Sequence, residues 1–157
     1  MTNSMISTDP LVARMFYLDF PNLSGFVLTA VSGLEVELDV VPFAANGANG
    51  KQEHLKTLGG GLKVPEISVT RMAPQDAEQD KLWQWFLDIR DHGFKDRTDK
   101  RQNGSIVLYD SSGSEVGRYN IFGCWPSKIA ADALSTESNE PLKETITLQA
   151  ERIERSK

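Results

Sequence analysis

Phe16, Leu18 and Phe20 alternate with Tyr17 and Asp19, which is the two-residue period of a strand with one buried face, and Pro21-Asn22 breaks the run. An extended stretch over residues 25–31 leads to Ser32-Gly33, a tight-turn signal. Over residues 34–40 the aliphatic Leu34, Val36 and Leu38 then alternate with the acidic Glu35, Glu37 and Asp39, which predicts a half-buried strand with the aliphatic set in the core. Strand character returns over residues 62–71, where Ile67 and Val69 take core positions and Glu66, Ser68 and Thr70 the opposite face, until Pro74 stops it. A helix comes next, with Asp76 as its N-cap, Leu82, Trp85, Phe86 and Ile89 along its core face, and Gly93 as its stop. Residues 105–110, the turn 111–113 and residues 115–124 read as a β-hairpin that Trp125-Pro126 closes. Residues 127–135 are short and mixed, with one helical turn expected there, and 143–152 form a last alternating strand. The pattern predicts a mainly β chain of roughly six or seven antiparallel strands, a barrel or two packed sheets, with one α-helix.

Residues 43–61 differ in kind. Asn46-Gly47-Ala48-Asn49-Gly50 and Gly59-Gly60-Gly61 enclose a polar stretch without sustained period, which predicts a long loop. Loops of that length in compact domains are uncommon unless functional or disordered, so the expectation is either a mobile insertion or an arm that orders against a neighbouring subunit.

The chain has 157 residues, the length of one domain, with residues 1–12 expected as a flexible N-terminal segment. Its single cysteine, Cys124, allows no internal disulfide and is expected as a small buried hydrophobe. No run reaches the roughly 18 to 20 apolar residues that span a bilayer, and the first residues lack the basic start and apolar stretch of a signal peptide, so synthesis in the cytoplasm and no membrane binding are expected. A formal charge of −5 argues against direct nucleic-acid binding. The one basic cluster, Lys95, Arg97, Lys100 and Arg101, is diluted by Asp96 and Asp99 and reads as a solvated loop.

Catalytic and cofactor signatures are missing. His54 and His92 have no partners at metal-ligand spacing, so no metal is expected. The segment 58–63 lacks the Gly-Lys-Ser/Thr ending of a phosphate loop, and no serine sits in a Gly-x-Ser-x-Gly turn. Glu35 and Glu37 share a strand face, where a solvated acidic surface is commoner than a glycosidase pair. The reading is of a protein with no cofactor and no catalytic role.

The order of these elements over residues 16–152 resembles the tail tube proteins of contractile phages and related injection systems, kin of the type VI secretion tube protein. The resemblance is carried by Val31-Ser32-Gly33-Leu34-Glu35-Val36-Glu37, by Leu58-Gly59-Gly60, by Ile67-Ser68-Val69-Thr70-Arg71 and by Leu82-Trp83-Gln84-Trp85. Further matches are Arg101-Gln102-Asn103-Gly104-Ser105-Ile106, Cys124-Trp125-Pro126-Ser127-Lys128, and Asn139-Glu140 with Glu144-Thr145-Ile146. The first dozen residues and 74–80 depart from the pattern, which leaves capping or baseplate-proximal relatives open beside the repeating tube subunit. The resemblance implies a subunit forming homohexameric rings, stacked into a hollow tube within a sheath, with sheath, baseplate and cap proteins as partners and cargo in the lumen. On that reading Glu35, Glu37, Asp39, Glu66, Ser68 and Thr70 face the lumen, while Asn46, Gly47, Asn49, Gly50, Lys51, Gly59, Gly60 and Gly61 form the contact between rings. The alternatives are acids that merely coat an outer surface, and a monomeric β-barrel that binds a small ligand.

Overall fold

The computed structural model describes residues 15–21, 23, 28–63, 66–76, 78–94 and 100–157. The elements are β1 (Met15–Asp19), β2 (Leu28–Ser32), β3 (Glu37–Asn46), β4 (Gln52–Lys63), β5 (Ile67–Met72), α1 (Lys81–His92), β6 (Gln102–Tyr109), β7 (Glu115–Ala131), β8 (Lys143–Gln149) and β9 (Arg152–Arg155). The expected free segment 1–12, the start of the 25–31 run, and Lys95, Asp96, Arg97 and Asp99 lie outside the described residues.

One strand organises the body. β7 is 17 residues long, and its first part pairs with β6 across the Asp110–Ser114 turn. That turn is built by Asp110, whose Oδ1 accepts from the amides of Ser112 and Ser114, both at 2.9 Å, and Gly113 adopts φ 84°. Beyond Cys124 the strand leaves β6 and pairs only with β8, while β8 and β9 run along its other side as one strand interrupted at Ala150-Glu151. The corner is Gly123, at φ 62°, where an added Cβ would stand 2.7 Å from the Glu151 side chain. Bent there, the strands form a path β1-β6-β7-β8-β5-β2 that folds over on itself.

Inside the fold lie Leu18, Phe20, Ile67, Val69, Ile106, Ile121, Cys124, Ile146, Leu148 and Ile153, joined by Leu82 and Trp85 of the helix. Trp85 meets Phe20 edge-on at 5.8 Å and donates its indole N–H to the Lys100 carbonyl at 2.6 Å. Burial pushes the Cys124 thiol up to about 12, so it is held as a neutral thiol.

Several sequence expectations change. Pro126 does not end β7, because residues past Cys124 form an edge with a register shift after Pro126, both places where a missing amide hydrogen is tolerated. Residues 127–131 are therefore strand, not part of a helical turn, and the expected final strand is two. The helix cap is Asp80, whose Oδ1 accepts from Leu82 N at 3.2 Å, whereas Asp76 accepts from Glu78 N before the helix begins. Ser32-Gly33 does not make a hairpin: β2 pairs with β5 and β3 with β4. Val36 and Leu38, expected in the core, are each 55% exposed, because the chain leaves the body after the partly buried Leu34. Phe86 and Ile89 are half-buried, Ile89 against the core and Phe86 edge-on to Trp83. Lys100 is 3% exposed rather than solvated, and its ammonium donates to the Gly93 carbonyl.

A buried ion cluster escaped the pattern altogether. Arg71 on β5 donates to both carboxylate oxygens of Asp80 and, at 3.0 Å, to Glu144 Oε2 on β8. Since Asp80 also caps α1, the cluster pins the helix start to two strands, and the one guanidinium bonds both carboxylates where leaving them unpaired would be costly.

Candidate assembly surfaces

The 43–61 segment is not a loop. Residues 37–63 form a two-stranded ribbon, β3 against β4, in register from Val40↔Leu58 to Asn46↔Gln52. Its tip is a turn closed by Gly47 N donating to Lys51 O at 2.7 Å, with Asn49 at φ 69° and Gly50 at φ 71°. Asn-Gly tolerates that left-handed pair, so this was the usable hairpin signal. Cross-strand partners share a face, so Val41, Phe43, Leu55 and Thr57 lie on one side and Val40, Pro42, Lys56 and Leu58 on the other. Both faces are apolar and open: Val40 is 51% exposed, Phe43 45%, Leu55 45% and Leu58 67%. Among the described residues, neither strand of the ribbon makes more than a slight contact with any other strand or with the helix. Near its root two register steps of β3 oppose four of β4, so that Asp39 faces Gly59–Gly61, and a Cβ on Gly59 would meet the Asp39 carboxylate at 2.3 Å. The ring-contact residues expected from sequence thus divide between the tip (Asn46, Gly47, Asn49, Gly50, Lys51) and this bulge (Gly59, Gly60, Gly61).

The six residues expected to line a lumen also divide. Glu35 and Glu37 are exposed at the root of the ribbon, and Asp39 lies 3.6 Å from Lys63 Nζ. Glu66, Ser68 and Thr70 stay with the body, on the face of β5 turned away from Ile67 and Val69. By register that face continues through Thr145, Thr147 and Gln149 of β8 and Lys128 and Ala130 of β7. Thr70 and Thr145 hydroxyls are 3.4 Å apart, and Gln149 Nε2 donates to Glu66 Oε1 at 2.9 Å and Ser127 Oγ at 3.1 Å. It is a surface of hydroxyls and amides, with Glu66, Lys128 and Lys143 as its charges, and so it is not acidic.

Several strand margins of the body stay open among the described residues, since β1 has only β6 as a ladder partner and β9 only β7. The four-strand run β7-β8-β5-β2 ends at β2 on one side and at residues 125–131 of β7 on the other, and neither has a ladder partner beyond it among the described residues. Also among the described residues, no group of three or more His, Cys, Asp or Glu is placed to hold a metal ion, and no helix is long and apolar enough to cross a membrane. A cavity of about 290 Å³ lies beside Gln84, Trp85, Asp88, Lys100 and Gln102.

Comparison with known proteins bears on these surfaces. Residues 12–154 match the profile of the T4-like virus tail tube protein gp19 family. None of the curated proteins matches the sequence closely enough to be counted a relative. Among solved structures, the tube-terminating cap of the anti-feeding prophage aligns at TM-score 0.74 and 17% identity, covering 98% of this chain and 95% of that one. The sheath-tube complex of the extracellular contractile injection system PVC aligns at TM-score 0.71 and 18% identity, covering 93% and 90%. Hcp1 from Flavobacterium johnsoniae aligns at TM-score 0.52 and 16% identity, covering 90% and 94%.

Proposed function

Since this chain belongs to the T4-like virus tail tube protein family, we propose that it is a structural subunit that closes with copies of itself into hexameric rings, stacked as the hollow inner tube of a contractile injection system or phage tail. The observation that carries this is the pair of open margins at the two ends of one strand run. An unpaired strand edge is an aggregation liability unless something covers it, and cyclic closure covers both margins of the run β7-β8-β5-β2. Strand direction alternates along β7-β8-β5-β2. Setting β2 of one copy beside residues 125–131 of the next therefore continues the antiparallel alternation around the ring.

In that ring the face carrying Ser68 and Thr70 lines the bore, and the arm formed by β3 and β4 makes the contact between rings. A bore of hydroxyls and amides gives a passing cargo of either sign little to adhere to. The role is structural, and sheath, baseplate and cap proteins of the same machine are its partners, a reading supported by the sheath-tube and cap structures that share the fold. The likeness to a cap supports a second reading, a ring that ends a tube instead of continuing it.

Negative-stain microscopy of the purified protein tests both. Rings with a central hole that lengthen into tubes are expected. Rings that never stack beyond one or two layers would select the terminating role, and a clean monomer at high concentration by size-exclusion chromatography would overturn both in favour of a small-ligand barrel. Deleting residues 46–50 is expected to leave a folded protein that no longer polymerises.

A further inference from the structure

The arm and one loop stand at opposite ends of the same sheet. The arm's root lies at the Ile67 end of β5, where Gly33 sits so close to Glu66 that an added Cβ would fall 2.1 Å from its carbonyl oxygen. Residues 132–142 lie at the Met72 end: Ala73 N donates to Leu142 O at 2.8 Å, Asp132 N to Lys143 O at 3.0 Å, and Met72 pairs with Lys143. The six residues of β5 keep the two apart by roughly 17 Å.

These ends are complementary in charge and both expose apolar side chains. The outer part of the arm carries Lys51, Lys56 and His54 against Glu53, with Val40 and Leu58 open on the same face as His54 and Lys56. At the Met72 end, Asp76, Glu78, Asp132, Glu137 and Glu140 are exposed, against Lys81 and Lys143. Leu134 stands 82% exposed there and Leu142 41%, beside a cavity of about 190 Å³ bordered by Asp132, Ser135 and Glu140.

We propose that the outer part of the arm, residues 40–58, docks on the 132–142 loop of a second copy of this chain. Lys51 at the tip and Lys56 enter among its carboxylates, and Val40 and Leu58, on the same face as Lys56, cover Leu134 and Leu142. The inference rests on the stacked-ring reading and adds to it the receiving surface. Every copy in one cyclic ring presents the same pole to the same side, so the arm's pole meets the loop's pole only between rings stacked head to tail. The charges set register and speed the encounter, and the apolar residues supply the buried area.

Charge reversal on each side, and on both together, tests it. K51E/K56E and E137K/E140K alter exposed residues and should melt like the parent. Each alone should leave rings but weaken their stacking by roughly tenfold or more per reversed contact, read as tube length against protein concentration. The fourfold variant, whose reversed charges again attract, should recover tubes. Tubes of parental length from E137K/E140K, or no recovery in the fourfold variant, would overturn the docking site while rings persist. Absence of rings from the unaltered protein would instead remove the stacked-ring reading beneath it.

Discussion

The pair β5–β8 and the ribbon β3–β4 are both antiparallel and both rich in aliphatic residues, yet they answer to different surroundings. In the first, Ile67, Val69, Ile146 and Leu148 are buried in strict alternation with Ser68, Thr70, Thr145 and Thr147. In the second, Val40 and Leu58 point one way, Val41, Phe43 and Leu55 the other, and all five stay open. A strand on its own core needs one apolar face. A ribbon apolar on both faces has no core of its own to serve, and on the proposed reading its burial is left to other copies of the chain.

If that contrast is sound, changes in the body should cost stability and changes in the arm should cost assembly. Arg71→Met should have the largest effect, a loss of roughly 3–5 kcal/mol in chemical denaturation, because Asp80 and Glu144 are left facing each other where Arg71 stood. Ile146→Ala, which opens a cavity between the sheets, should cost about 2–5 kcal/mol. Phe43→Ser with Leu58→Ser should cost no more than about 1 kcal/mol, since both side chains are exposed and lie outside the core, while abolishing tubes in microscopy. A double variant that unfolds as readily as Ile146→Ala would break the comparison.

The smallest effect should come from Asp110→Ala, in a turn remote from both regions. The hydrogen bond from the Ser112 hydroxyl, helped by the Ser114 amide, holds the Asp110 carboxyl below its ordinary value of 3.8. A carboxyl depressed in the folded state contributes stability above its unfolded value and loses it as pH falls through the folded one. The melting temperatures of variant and parent should therefore differ slightly at neutral pH and converge in acid below 3.8.

The same contrast explains what the sequence disclosed. β5, β8 and the core face of α1 were legible because each has one buried side, so that hydrophobicity repeats at two residues or at three and four. The arm was not, because a period-two test looks for a polar face, and Val40-Val41-Pro42-Phe43-Ala44-Ala45 has none. Its Asn49-Gly50 turn was legible by turn chemistry alone, and was masked by glycines that looked like loop on either side. Val36 and Leu38 alternated as core residues do but lie past the point where the chain departs, which no local pattern marks. The long reach of β7 was hidden by Pro126, whose tolerance depends on β6 starting only opposite Cys124, a fact about a different segment. Arg71, Asp80 and Glu144 are far apart in sequence, and only the fold brings them together.

The bulge at Asp39 and Gly59–Gly61 has one more consequence. A cylinder made of rigid discs cracks along its seams when flexed, since the outer side must open as the inner side closes. Three consecutive residues without side chains, opposite a single aspartate, make an elbow just where each arm leaves its body. In the proposed tube, seams bridged through such elbows would share out the strain of bending as many small rotations, and a long filament could be jolted and still hold.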